Sequence, residues 1–107
     1  MKITEFHDHY KDYYPVGKGW KPIVDKLVDD IIKIAPDTNI SQIKEKFGTL
    51  RFYCSGDGGD AIYKLIEKAE QESAKTCEMC GTKERVTTKG GWLITLCPPC
   101  RTLRSKR

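Results

Sequence analysis

Four of the five cysteines stand in two C-x-x-C pairs, Cys77-Glu-Met-Cys80 and Cys97-Pro-Pro-Cys100, with sixteen residues between the pairs. Zinc takes four thiolates at tetrahedral corners, about 2.3 Å from each sulfur. A two-residue spacer lets one tight turn aim both of its thiolates at one ion, and two such turns complete the site. Disulfides or a dithiol redox pair are the competing chemistry. CPPC resembles a redox motif, but such a motif needs a thioredoxin-like βαβ setting that this sequence lacks. The expected ligands of a Zn2+ ion are therefore Cys77, Cys80, Cys97 and Cys100. Four thiolates leave no open coordination position, so the expected ion is structural and not catalytic.

The elements around these pairs must deliver them to one point. Cys80-Gly81 matches a metal knuckle, because glycine lets the backbone reverse with positive φ. RVTTKGGWLITL places β-branched and aromatic residues on either side of Lys89-Gly90-Gly91, as in a hairpin. After it, CPPC leads into RTLRSKR, a short helix with Pro98 or Pro99 in its first turn. Knuckle, hairpin and helix in that order make a treble-clef-like four-cysteine zinc finger; a zinc ribbon, with its second pair on another hairpin knuckle, is the alternative.

Upstream, Ile23, Val24, Leu27, Val28, Ile31 and Ile32 recur at helical spacing between Trp20 and Ala35, with Pro22 in the first turn and Pro36 as the stop. Ile40, Ile43 and Phe47 fit one face of a short helix ended by Gly48. The same stretch, ISQIKEK, also reads as a strand with Phe47-Gly48 as a tight turn. TLRFYCS alternates as a half-buried strand, with Leu50, Phe52 and Cys54 on one face. SGDGGD is a loop, and Asp60 is the expected N-cap of a helix reaching about Ser73 and burying Ile62, Leu65, Ile66 and Ala69. The fold class expected is α+β: a small α+β region over residues 1–74 and a four-cysteine finger with a basic tail over 75–107.

Charge is distributed unevenly. Residues 75–107 carry eight Lys/Arg against two Asp/Glu, whereas residues 1–74 carry eleven against thirteen, within an overall net charge of +4. A basic segment of this kind points to phosphate. The candidate nucleic-acid contacts are Lys83, Arg85, Lys89, Arg101, Arg104, Lys106 and Arg107, together with Trp92, which either stacks on an unpaired base or packs over the metal site. Lys75, Lys83, Arg85 and Arg101 also stand close enough in sequence to temper the formal charge of −2 on a zinc tetrathiolate.

Catalytic constellations are weak. His7 and His9 lie near the N-terminus and are expected to be exposed and solvated. A ββα-metal nuclease needs a histidine base within the finger, and residues 76–107 contain none. SGDGGD lacks the spaced carboxylates of a calcium loop and the Gly-Lys-Ser/Thr ending of a phosphate loop. Cys54, on an apolar strand face, reads as a core residue. The expectation is a binding protein and not an enzyme, with no small-molecule substrate. MKITEFHDHYKDYYPVG has no long apolar run, so neither a signal peptide nor a membrane span is expected, and a cytoplasmic location follows.

The run IKEKFGTLRFY, a helix ending AEQES, and then CEMCG, GGW and TLC resemble a group of small bacteriophage and bacterial proteins. That resemblance covers most of residues 40–100 and implies a mobile-element origin, where small proteins commonly bind nucleic acid or host machinery. The finger alone resembles the zinc region of the transcription factors DksA and TraR, which bind RNA polymerase. This chain departs from them where the strand-like TLRFYCS replaces their long helical segment. Nucleic acid is accordingly the first expected partner. The alternative is a host protein such as RNA polymerase, met through Arg51, Tyr53 and the N-terminal tyrosines.

Overall fold

In the computed structural model, residues 1–56, 58–89 and 93–105 are described; Trp92, Lys106 and Arg107 lie outside them. A 3-10 turn at Ile3–Glu5 leads into the short helix α1 (Phe6–His9), and a second 3-10 turn at Lys18–Trp20 leads into α2 (Lys21–Ile34). The chain continues through β1 (Asn39–Lys46), β2 (Thr49–Ser55), α3 (Gly59–Ser73), β3 (Thr87–Lys89), β4 (Ile94–Leu96) and α4 (Pro98–Ser105). Among the described residues, four helices and two small antiparallel sheets, β1–β2 and β3–β4, make an α+β fold with four clustered cysteines at its C-terminal end.

The expected apolar stripe organises α2. Ile23, Val24, Leu27, Val28 and Ile31 are buried, and they pack with Ile40, Ile43, Leu50 and Phe52 of the first sheet and Ile62 and Ala69 of α3. Leu65, Ile66 and Ile32 pack against this core while partly buried. α2 stops before Pro36: proline disfavours helical geometry in the residue before it, and Ala35 has left the helix at φ −147°.

Between the two readings of ISQIKEK, the structure takes the strand. A bulge between Ile40 and Gln42 shifts the register, so that Ile40 and Ile43 both face the core although they are three residues apart. That extra residue mimics a helical spacing. Phe47, expected on the helix face, instead occupies a two-residue turn with Gly48. Their φ values of 55° and 81° are those of the turn favoured in tight hairpins. One further expectation is corrected: Asp60 does not cap α3. The helix begins at Gly59 after Gly58, without a side-chain cap, and Asp60 sits in its first turn, where a carboxylate favours the helix dipole.

The N-terminal arm is built into the fold. Ile3 and Phe6 are fully buried, Met1 O accepts a bond from Ile40 N, and Ile3 N donates to Thr38 O. The Tyr14 hydroxyl donates to Asp25 at 2.6 Å, and His7 Nε2 lies 2.7 Å from Asp29 on α2. His7 is thus half-exposed but partnered, while His9 is exposed.

Candidate metal centre and the basic residues around it

The first cysteine pair sits on a reversal of the chain. Gly81 N donates to Cys77 O at 2.9 Å, Cys77 N donates to Thr82 O at 2.8 Å, and Gly81 takes φ 85°. The second pair spans the end of the hairpin and the start of α4, with Pro98 and Pro99 in the first turn. Glu78 N donates to Thr95 O at 3.0 Å, which ties the knuckle to β4 and carries Cys77 and Cys80 to Cys97 and Cys100.

The four thiol sulfurs all lie within 4.8 Å of one another, and Cys80 Sγ is 3.6 Å from Cys97 Sγ. Four sulfurs about 2.3 Å from a central ion would be about 3.8 Å apart, so the donor set fits a tetrahedral metal. Cys77, Cys97 and Cys100 are buried and Cys80 is exposed. Burial pushes the Cys77 thiol up, but backbone N–H groups from Cys80, Cys97 and Met79 more than offset it and bring the group down to about 6. Cys100 goes the other way, raised by burial and by the thiols of Cys97, Cys77 and Cys80. Cys80 is also raised: the backbone N–H of Thr82 favours its thiolate, but burial and the thiols of Cys97 and Cys77 outweigh that bond. Crowded thiols cannot all ionise against one another, and a cation at their centre removes that conflict. Cys54 lies in β2, apart from this cluster, with its thiol raised by burial.

The knuckle is braced from the N-terminal side. Gly19 N donates to Glu78 O at 2.8 Å, and the fully buried Trp20 donates its indole N–H to Thr76 O at 2.9 Å. A β-carbon on Gly19 would stand 2.1 Å from Cys77 O and 2.6 Å from Gly81 N, so only glycine permits this approach. From the other side the Phe47-Gly48 turn meets the hairpin, where Thr95 Oγ1 donates to Gly48 O at 2.5 Å. Neither contact had a signal in the local pattern, since both join segments far apart in sequence.

The expected basic contacts are dispersed. Arg101 braces the hairpin: its Nη2 donates to Thr87 O at 2.7 Å and to Ile94 O at 3.0 Å, and its Nη1 to Lys89 O at 3.5 Å. Lys83 is 2.9 Å from Glu72. Arg104 shares a cleft with Glu45 and Glu78. Arg85 and Lys89 are exposed and line, with Arg101, a concavity of about 280 Å3. Trp92, Lys106 and Arg107 fall outside the described residues.

Compared with protein-family models, with curated proteins and with solved structures, the chain matches none. No described helix is long and apolar enough to cross a membrane.

Proposed function

We propose that this chain is a zinc-stapled binding module of treble-clef type that contacts nucleic acid through its finger and catalyses no reaction. The observation that carries this reading is the closed four-thiol cluster set in the most basic third of the chain. Cys77, Cys80, Cys97 and Cys100 would hold Zn2+, whose contribution is to fix the knuckle, the hairpin and α4 in one geometry. With all four positions filled by sulfur, the ion presents no site to a substrate. A phage or bacterial origin, implied by the resemblance of IKEKFGTLRFY and the segments after it, fits a small protein that works on nucleic acid or host machinery.

The test is binding of the zinc-loaded protein to fluorescent DNA and RNA across a salt series. Affinity should fall as salt rises, because each neutralised phosphate releases counterions. No salt-sensitive binding at low ionic strength would overturn the reading.

A protein partner is the second reading, favoured by one feature. Phe47 is 63% exposed at a left-handed turn position, and with Leu93 and Ile94 it lines a cleft that also holds Arg104, Glu45 and Glu78. Of the surface expected for such a partner, Tyr13 and Tyr53 are exposed, whereas Tyr14 is bonded to Asp25 and Tyr10 packs against Phe6.

A further inference from the structure

Three clefts carry the cations of the finger, and they differ in what balances the charge. Lys83 and Lys75 line a cleft with Asp30 and Glu72, and Arg104 and Lys46 line one with Glu45 and Glu78. The third is lined by Arg85, Thr87, Lys89, Pro98, Arg101 and Thr102, with no carboxylate among the described lining residues. Neither Arg85 nor Lys89 has an ion-pair partner among the described residues. Three positive groups around one hollow repel one another, and an anion relieves that repulsion.

Two further observations concern how these groups are held. Arg85 takes φ 56°, a conformation that favours glycine and costs free energy for a residue with a β-carbon. The side chain is exposed, so packing does not offset the cost. Strained positions of this kind collect where a side chain must point in one direction for a ligand. Arg101, for its part, has its guanidinium fixed by the carbonyls of Thr87, Ile94 and Lys89 and by Thr87 Oγ1 at 3.3 Å. Its charge is therefore positioned before any ligand arrives, which lowers the ordering cost of binding.

We propose that this hollow is the seat of one stretch of phosphodiester backbone, with Arg85 and Lys89 as the contacting arms and Arg101 as the fixed charge behind them. The proposal rests on the nucleic-acid reading and narrows it: Lys83 and Arg104, expected as contacts, stand outside the seat. Two contacting arms predict a shallow salt dependence, about −1.8 on duplex from a slope of roughly −0.9 per phosphate. A fourfold rise in salt then weakens duplex binding about 12-fold by the same relation.

The experiment is a salt-series titration of zinc-loaded protein with labelled duplex and single-stranded oligonucleotides, for wild type and four single variants. Arg85→Gly and Lys89→Gln should each reduce the duplex slope by about 0.9, so that one variant loses about 3.5-fold less affinity per arm over a fourfold rise in salt. Arg85→Gly should bind less while melting at the same temperature as wild type or above it, since glycine relieves the backbone. Lys83→Gln and Arg104→Gln should leave the slope as it was. Salt-sensitive binding that is unchanged in Arg85→Gly and Lys89→Gln overturns the seat and leaves the nucleic-acid reading standing. Absence of oligonucleotide binding by wild type overturns both, as does binding only to vesicles containing phosphatidylglycerol.

Discussion

Gly19→Ala tests how far the cysteine knuckle depends on the N-terminal side of the fold. The new β-carbon would meet Cys77 O at 2.1 Å, Gly81 N at 2.6 Å and the Glu78 carbonyl carbon at 2.7 Å. All three are backbone atoms of the knuckle, so no flexible side chain can yield. Overpacking of this type costs about 1–3 kcal/mol. Moving the 3-10 turn away also loses the Gly19 N to Glu78 O bond and the bond from the Trp20 indole to Thr76 O. The indole is fully buried, and a buried donor left unmade costs a further 1–3 kcal/mol or so. The sum is about 2–6 kcal/mol, against a typical total stability of roughly 5–15. Urea unfolding followed by tryptophan fluorescence reads it, in a Trp92→Phe background so that Trp20 is the sole reporter. With a slope of about 2 kcal/mol per molar urea, the midpoint should fall by about 1–3 M. Because the struck atoms belong to the C-x-x-C turn, competition with a chromophoric chelator should show weaker zinc binding as well. A variant with the midpoint and zinc affinity of wild type would mean that the knuckle does not depend on the close approach of Gly19.

Three other outcomes follow from the same contacts. Thr95→Val should destabilise the protein by about 1–3 kcal/mol in thermal or urea unfolding, because it removes a buried hydroxyl that bonds both Thr88 and Gly48 and leaves the Gly48 carbonyl without it. Cys54→Ser should leave metal content at the wild-type level, and alkylation of Cys54 at neutral pH should be slow, since burial raises its thiol and only the thiolate reacts. Stability of the finger should fall on acidification. The Cys77 thiol lies near 6 in the fold against an ordinary 9.0, so its contribution is complete above about pH 9 and is lost as the pH falls through 6. A melting temperature that rises between pH 8 and pH 5 would contradict this. Bound metal moves the same loss to lower pH, because ligation requires the thiolate.

What the sequence revealed, it revealed through local chemistry. Two C-x-x-C pairs name the four clustered thiols because a tight turn is a matter of four residues, and the α2 stripe is legible because one helix face repeats every three to four residues. TLRFYCS read as a strand by its alternation alone. The stretch before it was ambiguous for a physical reason: a bulge spoils the period of two, and Ile40 and Ile43 then imitate a helix. Asp60 was a fair cap by residue type, yet the loop delivers Gly58 to that position. Charge was the least legible property. Composition counts Arg101, Arg104 and Lys83 as equal cations, but one braces a hairpin, one lies beside Glu78 and Glu45, and one is paired with Glu72. Which of them is available to a ligand depends on partners brought in from elsewhere in the chain.

The metal centre is tested most directly by native mass spectrometry of the purified chain, which reads bound metal and thiol state together. One zinc per chain is expected with no disulfide among the five cysteines, and that zinc should be lost in Cys77→Ser and Cys97→Ser but kept in Cys54→Ser. A metal-free chain whose mass shows four hydrogens lost to two disulfides would contradict it.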